Sequence, residues 1–171
     1  MNGKISIIMY HYVRDLRKSK YPEIKGLDYT LFIEQLEYIK THYHFVKVED
    51  IFNAINTGDY SDIPQNSVLL TFDDGYIDHY TNVFPLLDKY KIQGCFFPPA
   101  RAIQENMVLH VNKIHYILAS VAEKETIVND ILKMLKNYRD KQVLENDEYY
   151  IKNYSVKTRF DTENVVFIKT M

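Results

Sequence analysis

Asp73 and Asp74 stand side by side in "LLTFDDGYIDHY" (residues 69–80), where an apolar run gives way to two carboxylates and a glycine. On an extended strand neighbouring side chains point to opposite faces. The two can converge only if the strand ends there, and Gly75 supplies the backbone freedom for that turn. Two close carboxylates repel, so one is protonated unless a cation intervenes. A divalent metal resolves the conflict: one Asp binds the ion and the other stays available as a base. The plain alternative is an Asp-Asp-Gly surface turn. Against it stands the preceding strand, which has no polar residue from Val68 to Leu70.

The elements around the pair suit a site. "KISIIMY" (4–10), "FVKV" (45–48), "SVLLTFD" (67–73) and "GCFF" (94–97) read as short strands. The first is apolar at almost every position, which predicts burial on both faces, as in a parallel sheet. Between them lie helices over 30–43, with Thr30 as N-cap and Phe32, Ile33, Leu36, Ile39 and Tyr43 on one face, over 49–58, stopped by Gly58, and over 82–91. Pro85 fits only the first turn of the last, which puts its start near Asn82. The order β-α-β-α-β-α-β implies a parallel sheet or barrel. In such folds reactive groups gather at the carboxyl ends of strands. His11 follows the end of the first strand and falls on the same rim as Asp73 and Asp74.

After residue 100 the pattern changes. Residues 110–122 and 124–139 read as helices, the second with Ile127, Ile131, Leu135 and Tyr138 on one face. Residues 144–164 show no period, and "VVFIKTM" begins another ordered element. A break-off there implies that the chain continues in a longer relative or is a truncated product. The whole reads as one domain over 1–171, with an α/β core at about 4–100, a helical segment at about 108–140 and a tail at 141–171.

Composition limits the partners. With 21 Lys plus Arg against 23 Asp plus Glu, the net charge is −2, which makes no electrostatic case for nucleic acid or an anionic membrane. Apolar residues at 46% argue for a folded chain. No run approaches the ~20 apolar residues of a membrane span. The start lacks a secretory signal, so a cytoplasmic location is expected. Cys95, the one cysteine, excludes an intrachain disulfide and a multi-cysteine zinc site and reads as a small buried hydrophobe. Of the remaining polar residues, His79, like His11 and Tyr76, is a candidate for the pocket rim. Asp78 reads as a helix N-terminal residue favoured by the dipole, and His42 and His44 read as exposed.

"LLTFDDGY" resembles the first motif of the polysaccharide deacetylases, the NodB-homology family. "IIMYHYV" (7–13) is similar to the segment that opens many members, and "GCFFPPA" (94–100) to the strand after the motif. The resemblance covers roughly residues 5 to 100. It implies a distorted parallel (β/α) barrel, incomplete here, a zinc-like divalent ion, and hydrolysis of N-acetyl groups on a sugar or polysaccharide. Asp73 would be the catalytic base and Asp74 a metal ligand. The metal would polarise the amide carbonyl and acidify a bound water, whose proton Asp73 takes.

The family completes its metal site with two histidines in a His-Ser/Thr-x-x-His text, which this sequence lacks. The nearest candidates are His110 and His115, five apart and so ~140° apart around a helix. Arg-Pro-Tyr and Leu-His segments of the family have no counterpart either. Three functions follow: a carbohydrate N-deacetylase acting on carbon–nitrogen bonds other than peptide bonds; an inactive amino-terminal part of one; or a phosphohydrolase using the Asp pair to hold Mg²⁺. The last would want a phosphate cradle, and none stands near the motif.

Overall fold

Residues 4–139 and 141–171 are described by a computed structural model. The chain divides into two compact units, Met1–Leu109 and His110–Met171. Asp140, at the expected end of the helical segment, lies outside the described residues.

The first unit runs β1 (Ile5–Tyr10), β2 (Val13–Arg14), a 3-10 turn (Leu16–Lys18), β3 (Leu27–Asp28), α1 (Tyr29–His42), β4 (His44–Phe45), α2 (Val48–Thr57), β5 (Ser67–Asp73), a π-helical turn (His79–Val83), α3 (Phe84–Tyr90), β6 (Gly94–Phe97) and α4 (Ala100–Gln104). The β5 and β6 strands fall at their expected bounds. After β1, the strands β2 and β3 form a short parallel pair; two residues each are too few to show a period in the sequence.

Local chemistry sets the helix ends. Asp28, not Thr30, caps α1: its Oδ1 accepts from the Thr30 backbone N at 3.0 Å and from Thr30 Oγ1 at 2.6 Å. Gly58 ends α2 in the left-handed region, at φ +72°. Pro85 lies in the first turn of α3, but winding starts earlier than Asn82, because the π-helical turn from His79 leads into it.

A strand has two edges. Along Ser67–Phe72, β5 pairs on one of them with β1, in parallel. The other edge is shared by β4, against Ser67 and Val68, and β6, against Leu70–Asp73, again in parallel. Thus β5 is the central strand. One of its faces carries Val68, Leu70 and Phe72, all buried against Phe32, Leu36 and Ile39 of α1 and against Val83, Leu87 and Ile92. Its other face carries Leu69, Thr71 and Asp73.

The expected two-sided burial of β1 is not found. Ile7 and Met9, registered with Leu69 and Thr71, are 65% and 59% exposed, and Phe97, registered with Asp73, is 57% exposed. Among the described residues β1 is an edge strand, flanked by β5 alone. Among the described residues the strands form an open parallel sheet and do not close into a barrel. Cys95 is half-buried rather than buried, and what burial it has raises its thiol pKa.

The second unit is helical: α5 (His110–Ser120), α6 (Lys124–Arg139), α7 (Asp147–Tyr154) and α8 (Glu163–Thr170). The α7 helix lies in the stretch read as lacking a period. It is started by a cap rather than a stripe: Asn146 Oδ1 accepts from the Tyr149 N–H at 2.8 Å. The "VVFIKTM" element is α8, which packs on α6 and α7. On α6, Ile127, Ile131 and Leu135 are half-buried, and Tyr138 is exposed.

Candidate active site at the end of the central strand

The apolar run of β5 ends on Asp73, half-buried and on the face of Leu69 and Thr71. The last β1–β5 pair is Tyr10 with Phe72, so His11 is one step beyond on β1 as Asp73 is on β5. Both stand at the carboxyl end of the sheet, as expected, and the His11 side chain is exposed.

Asp74 and Gly75 then turn the chain, with φ of +72° and +61°. The Asp74 N–H donates to the Phe97 carbonyl at 3.1 Å, which draws the turn onto the end of β6. A Cβ on Gly75 would lie 2.8 Å from Pro98 Cβ and 3.0 Å from Pro98 Cα. Both the left-handed backbone and this close approach select glycine. Gly75→Ala is expected to cost about 2 kcal/mol from φ strain plus overpacking. Chemical denaturation checks this, and an unchanged midpoint would remove the steric argument.

The turn places Asp74 in a network. Tyr76 Oη donates to Asp74 Oδ2 at 2.6 Å. The Tyr76 ring stacks on Tyr12, centroids 3.9 Å apart. Burial first, then the Asp74 acceptor, hold the Tyr76 hydroxyl pKa far above its ordinary value. The Arg14 guanidinium lies over the Tyr12 ring, 4.7 Å from its centroid. Arg14 Nε in turn meets Asp78 Oδ2 at 2.7 Å, in a pair whose side chains are 16% and 9% exposed. Asp78 stands at the helix N-terminus, as expected, and is in addition the ion-pair partner of Arg14.

His79 is buried beneath the rim, at 4% exposure, beside the rings of Phe72, Tyr76 and Phe96. Its Nε2 is 2.7 Å from the His11 carbonyl, which can only accept, so the proton is on Nε2. Nδ1 is left buried without a partner. Asn82 Nδ2 donates to the Val13 carbonyl at 2.8 Å. A shallow groove of about 260 Å³ runs past Gly75, Tyr76, His79, Tyr80, Phe84 and Phe96.

Asp73, Asp74, Tyr76 and His11 are thus placed around one strand end, with His79 behind them. His110 and His115 lie on α5 of the second unit, the former exposed and the latter half-buried. Tyr12, Arg14 and Asn82 were missed by the sequence reading. The available signal was the "HYVR" spacing: on extended backbone Tyr12 and Arg14 share a face.

A catalytic zinc site takes three protein donors and a structural one four. Among the described residues no three His, Cys, Asp or Glu side chains are grouped to hold a metal ion. The donors present do not fit a complete centre.

The polysaccharide deacetylase family model matches residues 61–154, more than half of the chain and including the Asp73-Asp74 turn. The chain belongs to the polysaccharide deacetylase family. A solved structure of a de-N-acetylase from Aggregatibacter actinomycetemcomitans is 26% identical, with a TM-score of 0.52 over 61% of this chain and 42% of that one. The Streptococcus pyogenes deacetylase PplD, solved with acetate, is 25% identical, with a TM-score of 0.49 over 61% of this chain and 46% of that one. IcaB from Ammonifex degensii is 29% identical, with a TM-score of 0.43 over 58% and 41%. This chain therefore spans less than half the length of each of these structures. No curated protein sequence matches it. No helix among the described residues is long and apolar enough to cross a membrane.

Proposed function

We propose that this chain carries the Asp73–Asp74 half of a centre that hydrolyses N-acetyl groups from a carbohydrate. One observation carries the reading: the pair ends the central parallel strand inside the segment matched by the polysaccharide deacetylase model. Asp73 is the general base. It takes a proton from water as the water oxygen bonds to the acetamide carbonyl carbon, and the proton passes to the nitrogen as the C–N bond breaks, giving acetate and an amine. Asp74 is assigned to a divalent ion, zinc in this reading. Because the grouped donors fall short of a centre, proton transfer is the only step assigned to this chain's own residues.

A second reading is favoured by that shortfall and by the exposed Ile7, Met9 and Phe97: alone, the chain is inactive and needs donors from further sequence. Acetate release from an N-acetylglucosamine oligomer with added Zn²⁺, alongside zinc calorimetry, separates the two. Release that falls about 100-fold in Asp73→Asn supports a working deacetylase. Neither release nor zinc uptake supports the inactive form. Cleavage of a phosphate ester but not of the acetamide would overturn both.

A further inference from the structure

The Tyr12–Tyr76 pair does more than pack. A carboxylate oxygen only accepts, so the single Tyr76 hydroxyl proton is committed to Asp74 Oδ2 at 2.6 Å. The Tyr76 ring is held in turn by its stack on Tyr12, centroids 3.9 Å apart. Tyr12 is buried, with Gly26 against its Cβ: a Cβ on Gly26 would lie 2.8 Å from it. Its ring is held between the Tyr76 ring and the Arg14 guanidinium, and Arg14 is anchored by Asp78. Two segments distant in sequence, 12–14 and 74–78, thus meet in one buttress that ends on a single oxygen of Asp74.

We propose that Tyr76 is a positioning residue for Asp74, fixing which carboxylate oxygen faces the reaction, and that Tyr12 supports it by holding the Tyr76 ring. The role rests on the assignment of Asp74 to the site, but its test does not require turnover. Tyr76→Phe isolates it, because it removes the hydroxyl and keeps both rings and their stack.

The chain is labelled with ¹³C at aspartate Cγ, and the Asp74 resonance is identified by its loss in Asp74→Asn. Tyr76→Phe is expected to move the Asp74 carboxylate resonance most. Tyr12→Leu, which removes the ring stacked on Tyr76, moves it less and in the same direction, while the Asp59 and Asp88 resonances stay put as controls for the fold. An Asp74 resonance unmoved in Tyr76→Phe would overturn the proposal, as would an equal movement of the two controls. If Tyr76→Phe disturbs the fold, Tyr12→Leu alone decides, by the same shift or its absence. Where acetate release is measurable, Tyr76→Phe lowers kcat about ten-fold with KM unchanged. Failure of the deacetylase reading appears instead in Asp73→Asn, which would leave release unaltered while the Asp74 resonance still answered to Tyr76.

Discussion

Phe72→Ala is expected to remove about 4 kcal/mol of stability, a large part of what a domain this size has. Phe72 is fully buried at the centre of the first unit's core. Its ring meets Tyr10 and Phe96 in stacked geometry at 5.3 and 4.9 Å, Phe32 edge-on at 6.3 Å and His79 at 5.5 Å. Gly94 is glycine because the ring fills its place: an added Cβ would lie 2.9 Å from Phe72 Cε2. Removing the ring leaves a cavity between sheet and helices, and the strand pairing on both edges of β5 keeps it from collapsing. Denaturant unfolding checks this through a lower midpoint at unchanged slope. A loss under about 1 kcal/mol would mean that the core is not packed around Phe72.

Arg14→Ala is expected to cost about 3 kcal/mol, because it leaves the Asp78 carboxylate buried without its cation. Asp78→Ala has a similar effect for the converse reason. The double variant Arg14→Leu with Asp78→Leu loses less than the sum of the singles, since no uncompensated charge remains. A double-mutant cycle by thermal or chemical denaturation measures the coupling. Additive losses would show that the pair, at 2.7 Å, is not an energetic unit. The location makes the pair relevant to the site. It ties β2 to the residues just after the Asp-Asp-Gly turn, next to the ties from His79 to His11 and from Asn82 to Val13.

Much of the first unit is legible in the chain itself. The β5 and β6 bounds, the α1 stripe of Phe32, Leu36 and Ile39, the Gly58 stop and Pro85 in the first turn of α3 all follow from local steric and hydrophobic rules. Elements governed by a single capping side chain or by two-residue pairings escaped that reading. Asp28 outcompeted Thr30 as a cap because it accepts from both the amide and the hydroxyl of Thr30. The α7 helix has a cap but no apolar stripe, so periodicity passed over it. The uniform apolarity of β1 predicted burial that an edge position does not supply.

What the sequence by itself determined is the motif: an apolar strand, two carboxylates, a glycine that the turn requires, and with them the family. Strand end and turn are local, so residue order is enough to specify them. Only the tertiary structure decided what backs the tyrosine that holds the second carboxylate. Tyr12 reaches Tyr76, and Arg14 reaches Asp78, from a segment some sixty residues earlier, brought alongside by parallel pairing of β1 with β5. Their spacing in "HYVR" puts them on one face, but what that face meets comes from strand register rather than from neighbouring positions in the chain. The same register brings His11 and Asp73 to one end of the sheet, and the ion pair with Arg14 makes the helix-end residue Asp78 also the anchor of the buttress behind Asp74.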